Sequence, residues 1–98
     1  MFTGTLTADL LLGDVHSLKE KRSVVKPVVA ELRRRYSVAA AEVGDADLHR
    51  RVQVGVATVA GDAQQVTEVL DACERLIAGR PEVELLSVRR QLVSDTDD

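Results

Sequence analysis

The stretch "FTGTLTADLLL" alternates without a break: Phe2, Gly4, Leu6, Ala8, Leu10 and Leu12 fall on one side of an extended chain, and Thr3, Thr5, Thr7 and Asp9 on the other. Alternation of period two predicts a strand with one buried face. The period then changes. Ser17 with Glu20 three residues on predicts a capping box, each side chain reaching the other's free backbone N–H, and opens a helix whose apolar positions Leu18, Val25, Val28, Val29, Leu32 and Tyr36 keep helical spacing. Pro27 removes one backbone donor from that helix and predicts a kink. "SVAAAEV" and "RVQVGVATVA" predict two further strands, the latter with Val52, Val54 and Val56 on one face, and "GDADLHR" between them reads as a hairpin loop. Asp62 with Gln65 predicts a second capped helix whose stripe is Val66, Val69, Leu70, Cys73, Leu76 and Ile77. Gly79 closes it and Pro81 bars its continuation. "VELLSVRRQLV" predicts a fourth strand.

The order is β-α-β-β-α-β. Right-handed crossovers then place both helices on one face of a four-stranded antiparallel sheet of order 4-1-3-2, an α+β sandwich of ferredoxin-like type. Residues 1–93 make one domain, and the acidic end 94–98 is expected to be a disordered tail. The second sheet face has no helix to cover it. Thr3, Thr5, Thr7, Gln53 and Ala57 line it, and burial against a second copy, as a homodimer, is one expected use.

Composition narrows the function. With 45% apolar and 30% charged residues the chain is an ordinary globular one. No apolar run approaches the roughly 20 residues of a membrane helix, and the N-terminus lacks the basic region of a signal peptide, so a cytoplasmic protein without membrane contact is expected. A lone cysteine, Cys73, builds neither an internal disulfide nor a zinc site. A net charge of −3 argues against a general duplex-DNA binder, but the average hides a segregation. The balance is +5 over residues 17–36 and −3 over residues 62–79.

Several activities of the ferredoxin-like fold need residues this chain lacks. A base-stacking sheet needs aromatic side chains on the open face, whereas the two aromatics here, Phe2 and Tyr36, fall on core positions. The acylphosphatase pattern needs an arginine in the first loop and an asparagine, and the sequence has no asparagine. Metal-chaperone versions need two cysteines in the first loop. Asp14, His16 and Ser17 have the chemistry of a nucleophilic triad, but neighbours in a turn seldom face one another, and Ser17 is explained as the helix cap. Asp45, Asp47 and His49 could offer oxygen and imidazole ligands, yet read better as a solvated hairpin tip. No enzyme activity, metal or cofactor is expected.

The first helix stands out. At about 100° per residue, Lys19, Arg22, Lys26 and Arg33 lie within roughly 60° of one another, beside the apolar stripe. His16 stands at the head of this ridge, and Lys21 adds to its charge. Arginines outnumber lysines ten to three, yet all three lysines fall between residues 19 and 26. Lysines at a helix start oppose the helix dipole, at a cost of about 0.3–1 kcal/mol each, so something other than helix stability sets this composition. His16, Lys19, Lys21, Arg22, Lys26 and Arg33 are the candidate nucleic-acid contacts; the alternative for this ridge is a solvated helix face, partly neutralised by the acidic second helix packed next to it.

The segments "HSLKEKRSVVKPVVAELRRRYSVAAAEVG" and "DLHRRVQVGVATVAGDAQQVTEVLDACERLIAGRPEVELLSVRRQL" resemble the bacterial YlxP-like family over nearly the whole chain, most specifically in "HSLKEKR". The resemblance implies a ferredoxin-like fold and no established activity. It also implies genes often placed among those for transcription elongation, translation initiation factor 2 and ribosome-binding factor A. Where that family has an aromatic residue after "DL", usually tryptophan, this chain has His49, which weakens a stacking role for the loop. The function expected is that of a small non-catalytic accessory protein of ribosome assembly or translation, with structured RNA or a ribosomal particle as partner. The alternative is an oligomeric protein-interaction or small-ligand regulatory module that uses the open sheet face.

Overall fold

The computed structural model describes residues 1–44 and 50–95, and its elements run β1 (Phe2–Leu12), α1 (Leu18–Arg35), β2 (Ala39–Val43), β3 (Arg51–Ala60), α2 (Ala63–Ala78) and β4 (Val83–Ser94). The strands form one antiparallel sheet of order β2-β3-β1-β4, the expected order read from the other edge. The topology is the β-α-β-β-α-β of a ferredoxin-like sandwich. The alternation of β1 is realised in full, with Leu6, Ala8, Leu10 and Leu12 buried and the threonines between them half-buried. Val52, Val54 and Val56 of β3 share the buried face, and the core is completed by Val25, Val28 and Leu32 of α1 and by Val66, Leu70, Cys73 and Ile77 of α2.

Both caps form. Ser17 Oγ accepts from the N–H of Glu20 at 3.1 Å and Asp62 Oδ1 from the N–H of Gln65 at 2.7 Å. In the first cap the returning Glu20 carboxylate accepts from the N–H of His16, one residue earlier than in a capping box, at 3.5 Å. The helix α1 runs unbroken through Pro27 from Leu18 to Arg35. Leu18, expected on its buried stripe, is exposed. The strand β2 starts two residues later than the sequence predicts, because the Ser37 carbonyl accepts from Thr58 Oγ1 at 2.9 Å and Val38 N–H closes a tight turn onto Tyr36. Gly44, at φ +86°, is where the chain leaves β2; only glycine enters that region at little cost. The loop expected at 44–50 lies largely outside the described residues.

At the other end the expected tail boundary moves. Ser94 is still in β4, and Asp95 N–H donates to the Met1 carbonyl at 3.2 Å, so these two residues extend the domain edge instead of starting a disordered tail. The pairing of β4 with β1 shifts register between Asp9 and Leu10, a bulge that inserts Leu86.

The helix α2 lies so close to β1 that a Cβ added at Gly4 would overlap Val66 Cγ1 and stand 3.0 Å from Leu70 Cδ1. Gly4→Ala must push α2 away from the sheet. It is expected to lower the unfolding free energy by about 1–3 kcal/mol in urea titration, as overpacking of a filled core does. Burial at Cys73, only partly offset by the nearby Arg90 charge, raises its thiol pKa above the ordinary 9.0. The native state thus holds the thiol proton more tightly than the unfolded chain, a contribution fully present below the unfolded value and lost as pH rises through the folded one. Native protein is accordingly expected to react with a thiol reagent only on unfolding. Its stability should also fall more steeply above pH 9.0 than that of Cys73→Ala, as read from paired denaturation curves.

Candidate nucleic-acid interface

Four cations enter α1 within its first nine residues, and the structure divides them. Lys19, Arg22 and Lys26 are exposed and make no hydrogen bond or ion pair among the described residues. Lys21 is the reverse. It is 2% exposed, with Nζ 3.3 Å from Glu42 Oε1 on β2. Its placement among the nucleic-acid contacts is therefore corrected: residue 21 stands four before Val25 and seven before Val28, on the buried stripe, so the stem packs in the core and the ammonium turns towards β2. Glu42 has the same strand parity as buried Ala40, which brings its carboxylate round to meet it.

Arg33 is also drawn towards β2. Its Nε donates to the Ala40 carbonyl at 2.8 Å, satisfying an outward-facing acceptor of an edge strand and tying α1 to the sheet. His16 is exposed at the head of α1 with Nε2 2.7 Å from Asp14 Oδ1, so a carboxylate accompanies it. The turn that carries both is fixed from across the sheet by Arg50, whose Nε is 3.3 Å from the Leu12 carbonyl and 3.1 Å from that of Gly13. Nothing in the sequence pattern announces that role for Arg50. Ser17 Oγ is spent on the cap, and Asp45, Asp47 and His49 lie outside the described residues.

What the ridge overlooks is a groove of about 480 Å³ between α1 and β2. Its floor is apolar, built from Val25, Val29 and Ala30, and its rim carries Arg22, Lys26 and Arg33, with Glu42 the acid of the lining. The acidic helix α2 does not neutralise this rim. Asp71 and Glu74 instead hold Arg90 of β4, at 2.8 and 3.0 Å. Burial works against the Arg90 charge, but these two hydrogen-bonded carboxylates outweigh it and hold its pKa above the ordinary value. Glu31 of α1 is likewise taken, by Arg80 at 2.6 Å and Arg35 at 3.3 Å. No helix among the described residues is long and apolar enough to cross a membrane.

A family model described as "Protein of unknown function (DUF503)" matches residues 3–90. The uncharacterized protein YlxP of Bacillus subtilis (strain 168) is 28% identical over 88 residues, covering 90% of this chain and 96% of that one. A crystal structure of a point mutant of SnoaB, a cofactor-independent oxygenase from Streptomyces nogalater, aligns with a TM-score of 0.48 at 14% identity, over 98% of this chain and 95% of the other.

The buried position of Lys21 makes it a stability residue. Lys21→Ala, which removes both stem and charge, is expected to cost about 2–4 kcal/mol in denaturant titration, whereas Lys21→Met, which restores the stem, should recover more than half of that loss.

Proposed function

The chain belongs to the DUF503 family of proteins of unknown function, and from the surface of α1 we propose that it is a non-catalytic accessory protein of ribosome assembly or translation that holds structured RNA by its phosphates. The observation that carries this reading is the exposed row Lys19, Arg22 and Lys26, which has no acid partner among the described residues while the acids of α2 are engaged by Arg90. Several other cations are paired closely, as Arg51 with Asp9 at 2.6 Å and Arg80 with Glu31 at 2.6 Å; Arg34, Arg75 and Arg89 also lack an acid partner among the described residues, but they lie on three different elements. Leaving three cations together uncompensated costs self-repulsion, and a polyanion relieves it. Lysines suit a phosphate backbone because an ammonium on a flexible stem is a point charge that needs no fixed geometry. Spaced three and four residues apart on one helix face, the row forms a line that a phosphate strand can follow. Two members of the original set play supporting parts: Lys21 and Arg33 seat the helix against β2, and His16 meets the ligand only at the ridge's head.

The net charge of −3 fits a contact of this limited size, one that adds to other interactions in a particle and does not coat duplexes. The test is the triple substitution Lys19→Gln, Arg22→Gln, Lys26→Gln. All three side chains are exposed, so the variant should melt close to the parent. Its retention on ribosomal RNA should fall, and the slope of log affinity against log salt should become shallower by somewhat less than about one unit per lost contact. Equal binding with an equal slope would remove the proposal.

A further inference from the structure

The sheet face away from the helices is sorted by size. Across its two central layers, β2 and β3 present only Ala41 and Gly55 in one and Ala39 and Ala57 in the next, while β1 and β4 present Thr7 with Arg89 and Thr5 with Gln91. The β2–β3 half is consequently a shallow hollow of about 580 Å³, floored by these small residues, while in the β1–β4 half the longer side chains of Arg89 and Gln91 wall a separate cavity of about 480 Å³ over Thr5 and Thr7. At the far end Thr3 is flanked by Val59 and Val93, 60% and 59% exposed.

We infer that this face is the homodimer interface, packed against the same face of a second copy about a two-fold axis that runs parallel to the strands between β3 and β1. Such an axis exchanges the halves. The β4 of one copy lies over β2 of the other and β1 over β3, so Arg89 covers Ala41, Thr7 covers Gly55, Gln91 covers Ala39 and Thr5 covers Ala57. Large meets small at each central position, the interdigitation that gives two packed sheets their core. A two-fold axis across the strands would set hollow on hollow and β4 on β4, leaving a void in one half and crowding in the other.

Charge permits the pairing. The open face carries Asp9 and Glu84 against Arg51 and Arg89, a net charge of zero, with Asp9 and Arg51 already paired at 2.6 Å. A nucleic acid has nothing to gain there, unlike on α1. Arg89 lies over the edge strand β2 of the partner, so its stem covers Ala41 while the guanidinium reaches solvent past the edge. The area is small. At about 3.3 Å per residue and about 4.8 Å between strands, the ten paired rows of β1 and β3 and the five rows where β4 overlies β2 cover about 480 Å² per copy, or about 950 Å² in all, the size of a weak, reversible interface.

Sedimentation velocity at micromolar concentration should give a dimer. Ala57→Arg and Ala41→Arg, each filling the hollow from a different strand, should raise the dissociation constant at least tenfold, and Thr67→Arg on the exposed side of α2 should not change it. The direction of the axis is read by a short bis-maleimide. A mixture of Ala41→Cys and Arg89→Cys chains should form a cross-linked dimer, and Ala41→Cys alone should not. A parent that sediments only as monomer, or a dimer indifferent to both arginines, overturns the inference. So does cross-linking of Ala41→Cys to itself. Should the arginine variants prove unfolded by circular dichroism, the cross-linking pattern of the cysteine variants decides.

Discussion

Because β1 is paired on both edges, a slip of one residue in its register would turn Leu6, Ala8, Leu10 and Leu12 out of the core and bring Thr3, Thr5, Thr7 and Asp9 in. The two faces of this molecule are thus set by one strand's alternation. The apolar side recruits both helices, and the side of hydroxyls and small residues stays open. Even the height of α2 above the sheet is fixed on β1, by the missing side chain of Gly4 beneath Val66 and Leu70.

Charge is arranged on top of that division. Arg90 lies in β4 opposite Leu6, on the helix side, and spends its guanidinium on Asp71 and Glu74, so the acids of α2 serve to dock the fourth strand. Arg80 does the same for the α2–β4 junction by reaching Glu31, although its Nε is buried with no hydrogen-bond partner among the described residues. These pairs are partly exposed and individually weak, but they join different elements and so favour one arrangement over its competitors. The row Lys19, Arg22 and Lys26 takes no part in this, and it differs from the other cations without a partner among the described residues, Arg34, Arg75 and Arg89, in lying together along one helix face.

Local signals were legible in the sequence and cross-element ones were not. The alternation of β1, the caps at Ser17 and Asp62 and the stripe of α2 depend on neighbours in the chain, and each could be read there. Gly4 was readable as a core-face position but not as the place where a helix presses down. Lys21 is the instructive miss. Its spacing to Val25 and Val28 puts it on the buried stripe, and the residue's charge diverted the reading; the signal that decides is a carboxylate of matching parity on the adjoining strand, Glu42, visible only once β2 is placed beside α1. Arg33 and Arg50 were equally opaque, because their partners are backbone carbonyls, which carry no sequence signature. The bulge at Leu86 interrupts a run, "VELLSV", in which neither period is clear, so nothing local marks its position.

The two proposed surfaces meet at one edge. Arg33 and Ala41 border both the α1–β2 groove and the hollow of the open face, so the short strand β2 separates them by the width of a single chain. In the two-fold arrangement the partner's Arg89 crosses β2 over Ala41 and arrives beside the rim formed by Arg22, Lys26 and Arg33. Under both proposals each basic groove would gain a cation from the other copy, a like-charge approach that opposes pairing in the free protein and that a bound anion relieves. A ligand that prefers the extended rim must, by reciprocity, favour the assembled state, so RNA binding and self-association would strengthen each other even though they use opposite faces of the sheet. Were both proposals to hold, two grooves at a fixed separation would select for phosphate tracks at that spacing, and specificity of this kind needs no base to be read.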